Sequence, residues 1–264
     1  MTDADDLVLI EVADSVATVT LNRPEARNAL NRAVRKALPR ALQELDERDD
    51  VAAIVLTGAD PAFCAGLDLK ELAAGGDALR ETGATGDRER HQRGPFPEMA
   101  TPVIGAVNGV AITGGFELAL ACDYLVASER ARFADTHARV GIMPGWGLTV
   151  LLPEAIGIRR AKEMSTTGNF LDAATALTWG LVNHVVPHKE LLPFARQLAA
   201  DVATIDPVAV RRMLQTYDDG ALRDGAGAWE LEAEVAGAWQ GKGLDPAAIE
   251  KSRQAVVARG RTQL

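Results

Sequence analysis

An α/β fold is what this 264-residue sequence predicts, on three observations. Residues 51–56, 103–107 and 124–127 are short, unbroken apolar runs, the pattern of strands covered on both faces. Segments of helical spacing separate them, which implies parallel strands joined by right-handed crossovers. Beyond Lys189 strand-like runs stop and only helical patterns remain.

The elements follow in order. Residues 7–12 and 16–21 are β-rich and joined by Ala13-Asp14-Ser15, a hairpin pattern, and Asn22-Arg23-Pro24 ends the second strand. Asn28 is placed to cap a helix whose apolar face is Leu30, Val34, Leu38, Leu42 and Leu45. Pro39 lies within that helix and, lacking a backbone donor, should bend it. Residues 73–94 are rich in Gly, Asp, Arg and Thr, and are expected to form a mobile surface segment. Residues 190–204, 207–217, 228–239 and 246–259 have helical patterns separated by Gly, Asp or Pro. Two of those helices carry Trp229 and Trp239 on faces too apolar for a free surface, which predicts burial against the core or another subunit. The chain thus divides into a core, residues 1–200, and a helical region, residues 201–264.

With 47% apolar and 25% charged residues the composition is that of a globular protein. A net charge of −9 argues against a nucleic-acid partner, because phosphate binding needs a concentrated basic face. The two cysteines, Cys64 and Cys122, are too few for a disulfide framework, and no His/Cys cluster has the spacing of a metal site. The acidic start, Met1-Thr2-Asp3-Ala4-Asp5-Asp6, is unlike a signal peptide, and no apolar run approaches the roughly 20 residues of a membrane span. The expectation is a cytoplasmic protein with no membrane partner.

Two segments point to chemistry. Phe63-Cys64-Ala65-Gly66-Leu67-Asp68-Leu69-Lys70 follows the strand at 51–57, and Asn108-Gly109-Val110-Ala111-Ile112-Thr113-Gly114-Gly115-Phe116-Glu117 follows the strand at 103–107. Each passes from a strand through small residues to a helix start, where unpaired N–H groups and the positive dipole end suit an anionic oxygen. Glycine lets a ligand approach the backbone closely. A glycine at such a junction is commonly turn geometry alone. Two such loops, with a carboxylate three positions after Gly114, supply the parts that stabilise an enolate and move a proton beside it.

These segments, with their neighbours, resemble the crotonase superfamily of enoyl-CoA hydratases and isomerases. Leu21-Asn22-Arg23-Pro24 with Asn28-Ala29-Leu30 is similar to its N-terminal signature, residues 63–70 to its first oxyanion loop, and residues 108–123 to its second. Phe133-Ala134-Asp135, Gly141-Ile142-Met143-Pro144-Gly145 and Ala176-Leu177-Thr178-Trp179-Gly180-Leu181-Val182 continue the likeness in the same order. It spans residues 7–190, with the helical tail agreeing in character only. The resemblance implies a spiral of ββα repeats with a C-terminal helical trimerisation region, forming homotrimers or homohexamers. It implies an acyl-CoA thioester substrate and no separate cofactor, coenzyme A being part of the substrate. It places the oxyanion hole at the backbone N–H groups of Leu67 and Gly114, coenzyme A contacts at Ala65, Leu67, Asp68, Leu69 and Lys70, and a catalytic carboxylate at Glu117. Arg27 is a further candidate for the coenzyme A phosphates, and Trp146 stands where the family places a wall near the acyl chain.

The sequence departs from the family at one position. Hydratases of this kind use two glutamates, and the loop beginning Phe133-Ala134-Asp135-Thr136 puts His137 where the second belongs. Three readings are open: an acid/base substitute, since imidazole titrates near neutrality; a neutral hydrogen-bonding residue that shapes the pocket; or a catalyst with one arm lost. Asp135 receives no role from the likeness, and His91, His184 and His188 have no partner pattern. The expected reaction is reversible hydration of a 2-enoyl-CoA to a 3-hydroxyacyl-CoA, with Glu117 and His137 catalytic. The alternatives are isomerisation or other enolate chemistry on the same scaffold, and acyl-CoA binding without turnover.

Overall fold

The computed structural model describes residues 7–73, 94–221, 223 and 225–240. The segment expected at 74–93, with His91, and the helix expected at 246–259 lie outside the described residues, as does the side chain of Trp239.

Strands β1 (Val8–Ala13) and β2 (Val16–Leu21) pair antiparallel across Asp14 and Ser15, whose φ angles of 50° and 61° give the two-residue turn that matches hairpin twist. Helix α1 (Arg32–Asp46) starts later than Asn28 implies: its cap is Asn31, whose side chain accepts from Val34 N at 2.9 Å. Asn28 is buried instead, at φ 57°, a backbone that short polar side chains tolerate. Its Oδ1 accepts from Arg23 N, and its Nδ2 donates to Ala59 O at 2.8 Å and Ala62 O at 2.6 Å. Arg23 N and Ala59 O would lose this partner if Asn28 served as a cap, while Ala62 O would keep only Asn108 Nδ2 at 3.2 Å among side-chain donors. The predicted apolar face of α1 is otherwise as observed, with Val34, Leu38, Leu42 and Leu45 all buried.

Three strand–strand–helix units follow. They are β3 (Ala53–Gly58), β4 (Ala62–Cys64) and α2 (Leu69–Ala73); β5 (Val103–Val107), β6 (Val110–Ile112) and α3 (Gly114–Leu120); and β7 (Tyr124–Ser128), β8 (Arg132–Ala134) and α4 (His137–Val140). Helices α5 (Leu148–Ile156) and α6 (Ile158–Thr167), strand β9 (Leu171–Asp172), helix α7 (Ala173–Trp179), strand β10 (His184–Val186) and helix α8 (Leu191–Ala203) complete the core. In each unit the first strand joins a six-stranded sheet, in the order β1-β2-β3-β5-β7-β10, and the second joins a four-stranded sheet, β4-β6-β8-β9. All pairings are parallel except β1 with β2 and β8 with β9. This is the expected winding of ββα repeats.

One face of the larger sheet packs inward, in a core that includes Ile54, Leu56, Phe63, Phe116 and Phe133. The other face is covered by α8, where Leu191, Ala195 and Ala199 meet Val16, Val55, Ile104 and Val126. Burial on both faces explains why β3 and β5 read as unbroken apolar runs.

By internal packing the chain forms two units, Met1–Arg211 and Arg212–Leu264. Helices α9 (Pro207–Ala221) and α10 (Gly225–Gln240) follow α8, and Trp229 on α10 is 73% exposed in the isolated chain.

Candidate active site

Strand β4 delivers the first loop. Leu30 N donates to Gly66 O at 2.8 Å and Asp68 N donates to Leu30 O at 3.2 Å, which is a one-residue parallel bridge between Leu30 and Leu67. In that register the N–H of Leu67 points away from Leu30. The start of α3, delivered by β6, lies close by. A Cβ added to Gly66 would stand 3.3 Å from Gly114 N, and one added to Gly114 would stand 3.7 Å from Leu67 N. The two loops therefore meet at their glycines, with the Leu67 and Gly114 amides side by side. Neither N–H has an acceptor among the described residues. Gly66 has φ 87°, and Thr113, which leads into α3, has φ 54°. Thr113 is held there by its N–H to Ala134 O at 2.9 Å and by a 2.5 Å contact between its hydroxyl and that of Thr136. Strained backbone of this kind persists where its surroundings over-determine it.

Glu117 lies one turn along α3 and is 2% exposed. Its Oε1 accepts from Trp146 N at 2.8 Å and Leu148 N at 3.4 Å, donors at the start of α5. Its Oε2 faces His137, 3.4 Å from Nε2. On the far side of the ring, Asp135 Oδ1 receives Nδ1 at 2.7 Å and the backbone N–H of His137 at 3.1 Å. Asp135 and His137 are 2% and 4% exposed. The result is a buried row: carboxylate, imidazole, carboxylate.

Burial opposes a charge on His137, but hydrogen bonds to Asp135 and Glu117, and the charges of both, outweigh it and raise the imidazole to about 9. Burial likewise works to raise the Asp135 carboxyl. Hydrogen bonds from the His137 side chain, Ser165 and the His137 backbone prevail and hold it below its ordinary value. At neutral pH His137 is an imidazolium, so a proton donor stands ready beside a carboxylate.

Trp146 links the halves of the site. Its N–H holds Glu117, and its Cζ3 would lie 3.2 Å from a Cβ on Gly114. The indole thus borders Gly114 at the start of α3.

The first-loop residues proposed for coenzyme A are partly occupied otherwise. Ala65 N donates to Arg27 O at 3.0 Å. The Asp68 carboxylate pairs with Arg23 at 3.1 Å and caps α2 by accepting from Lys70 N at 3.1 Å and Glu71 N at 3.4 Å. Leu69, 53% exposed, and Lys70 and Arg27 are at the surface.

What sequence reasoning missed is the role of Asp135: the only signal was a carboxylate two residues before a histidine, and the structure shows it accepting from both the backbone and the ring of His137. His188 also has partners, Ser128 Oγ at 3.0 Å from Nδ1 and Asp60 Oδ2 at 3.0 Å from Nε2, while Asp60 Oδ1 accepts from Asn108 Nδ2 at 2.9 Å. That cluster joins the exits of β3, β5 and β7. His184 packs edge-on against Phe194.

With this geometry in view, residues 11–257 match the family model described as enoyl-CoA hydratase/isomerase. The chain belongs to that family. It is 39% identical over 93% of its length to a protein of Arabidopsis thaliana named as a probable peroxisomal enoyl-CoA hydratase, covering 90% of that relative. It is 36% identical to the short-chain-enoyl-CoA hydratase of Clostridium acetobutylicum, covering 87% of this chain and 88% of the other. Among solved structures, an enoyl-CoA hydratase from Mycobacterium tuberculosis superposes with a TM-score of 0.74 at 48% identity, over 88% of this chain and 98% of that one.

Proposed function

We propose that the protein is an enoyl-CoA hydratase, adding water reversibly to a 2-enoyl-CoA to give a 3-hydroxyacyl-CoA. The observation that carries this reading is the buried Glu117 carboxylate, one helical turn from two adjacent, unengaged main-chain donors. The Leu67 and Gly114 N–H groups polarise the thioester carbonyl and hold the enolate oxygen, each donor contributing about 2.7–4 kcal/mol of transition-state stabilisation. Glu117 positions water and takes its proton as the oxygen attacks Cβ, and His137 supplies the proton to Cα. These are proton transfers with charge stabilisation, and the scheme calls for no metal or redox cofactor. Ala65, Leu69 and Lys70 line the approach for the coenzyme A portion, with Lys70 and Arg27 available to its phosphates.

The test is loss of enoyl thioester absorbance on adding the protein to a short 2-enoyl-CoA. Glu117→Gln should lower kcat by about 10²–10⁴-fold; undiminished activity in that variant would remove Glu117 from its role. One observation favours a second reading, double-bond isomerisation or another enolate reaction: the second glutamate is replaced by His137. Product masses across a panel of acyl-CoAs separate the two, because only hydration adds the mass of water.

The same reading extends to assembly. Val208, Met213, Tyr217 and Trp229, on α9 and α10, are each more than half exposed in the isolated chain, which supports burial in a homotrimer or homohexamer. Sedimentation equilibrium gives the copy number. The two free, buried cysteines suit a reducing cytoplasmic compartment.

A further inference from the structure

We propose that Asp135 is a positioning residue for proton transfer at this site. It fixes the tautomer of His137 so that Nε2, the nitrogen facing Glu117, is the one that gives up and regains the proton. The proposal rests on the hydratase reading for its kinetic consequences, but not for the tautomer itself.

The geometry carries it. An ionised carboxylate only accepts, so the 2.7 Å contact between Asp135 Oδ1 and His137 Nδ1 keeps a hydrogen on Nδ1 in either charge state of the ring. The same oxygen also receives the backbone N–H of His137, which ties the ring to its own main chain. Ser165, from α6, donates to the Asp135 carboxylate as well. The remaining charged neighbours are accounted for. From α3 the ring meets Glu117, while Arg139, on α4, turns to the Thr167 carbonyl. With Nδ1 committed, only Nε2 exchanges a proton.

The proton count then closes within the site. Water oxygen bonds to Cβ and its proton passes to Glu117, while the Nε2 proton of His137 passes to Cα, where the enolate electron pair forms the C–H bond. Glu117 is left neutral and so is His137. The proton on Glu117 crosses to Nε2 over the 3.4 Å between them, which restores the starting state. The sum is addition of one water. An imidazole of the opposite tautomer would already carry hydrogen on Nε2 when neutral and could not be reloaded from Glu117. A buried carboxylate on Nδ1 prevents that, by the same logic that orients the histidine of a Ser-His-Asp triad.

Nitrogen-15 spectra of the histidine-labelled wild-type protein, taken as pH is raised through about 9 so that the ring is read in its neutral form, test the tautomer without turnover, the His137 signals being assigned by their loss in His137→Gln. The expected result is a protonated Nδ1 in the wild type and loss of that fixed state in Asp135→Asn. An unprotonated Nδ1 in the wild type would overturn the proposal. Kinetics test the consequence: Asp135→Asn should lower kcat about 100-fold or more while KM moves less than about threefold. In a His137→Gln background the same change should cost less than about threefold, since its effect runs through the ring. An equal loss in both backgrounds, or no loss in either, overturns it. Absence of turnover by the wild type on every 2-enoyl-CoA sinks the hydratase reading alone, and the spectra still decide the role of Asp135.

Discussion

The two halves of the site are made of different parts of the polypeptide. The half proposed to face the carbonyl oxygen is main chain, from residues 67 and 114, and it is specified by side chains that are missing. The half proposed to move protons is side chains, Glu117 and His137 with Asp135 orienting the ring, specified by their identity. A main-chain device tolerates substitution at the residue that supplies the donor but not at the residue that lets two backbones meet. A side-chain device is the reverse, since its backbone is ordinary and its functional groups are not exchangeable.

The largest expected effect tests the first half. Gly114 and Gly115 are adjacent, yet a Cβ on Gly115 would stand 2.1 Å from Cys64 O and 2.7 Å from Cys64 C, both main chain of the first loop. A Cβ on Gly114 would be crowded only by the edge of Trp146, at 3.2 Å, with Gly66 Cα and Leu67 N at an ordinary contact distance of 3.7 Å. Gly115→Ala must therefore push the loops apart, at a cost of about 3 kcal/mol or more. Its melting temperature should fall by roughly 6–12 °C, with activity lost alongside. Gly114→Ala should melt within a few degrees of wild type, the indole giving way. Equal melting of the two variants would mean that the loops do not touch as described.

The next effect tests the second half through pH. The proposed scheme needs Glu117 ionised and Nε2 of His137 protonated. Because the His137 imidazole is raised from 6.5 to about 9, the required form persists through neutrality and is lost as pH rises through about 9. The hydration rate should be level near neutral pH and fall roughly tenfold per unit on the alkaline side, and His137→Gln should remove that limb. Stability follows the same sign. A raised folded value contributes stability that is fully present below 6.5 and disappears as pH climbs through about 9. Melting curves should accordingly show the advantage of wild type over His137→Gln shrinking across that window. A constant advantage would mean that the imidazole is neutral throughout.

The halves also differ in how far the sequence reveals them. Glycines at two strand-to-helix junctions, and a glutamate three positions after one of them, are visible as letters, so both loops and Glu117 could be named before any coordinates, while Leu67 and Gly114 were singled out by the family resemblance. The larger sheet was visible as well, because burial on both faces leaves unbroken apolar runs. Strands β4, β6 and β8 were not, since three residues are too few to display a period. Asn28 suits a helix cap in sequence, and only the third dimension sends it to the β3–β4 turn and leaves the cap to Asn31. Asp135 escaped for a related reason. A carboxylate near a histidine is common, and its meaning depends on a ring orientation that no spacing rule fixes. Ser165, 30 positions away on another helix, supplies the remaining hydrogen bond.

The smallest expected effect separates scaffolding from ligand contact within the first loop itself. Asp68 follows the Leu67 donor, and its carboxylate is spent on the first turn of α2 and on Arg23, both side chains being about 15% exposed. A carboxylate there would repel coenzyme A phosphates if it faced them, so its place is to hold the loop. Losing the cap and a partly exposed ion pair should cost about 1–2 kcal/mol together. Asp68→Ala should thus lower the melting temperature by a few degrees while KM for a short 2-enoyl-CoA moves less than about twofold. Arg23 keeps its bond to Ala29 O in that variant, so the Asn28 turn should survive. A tenfold change in KM with little change in melting would move Asp68 from the frame of the loop to the surface that the substrate touches.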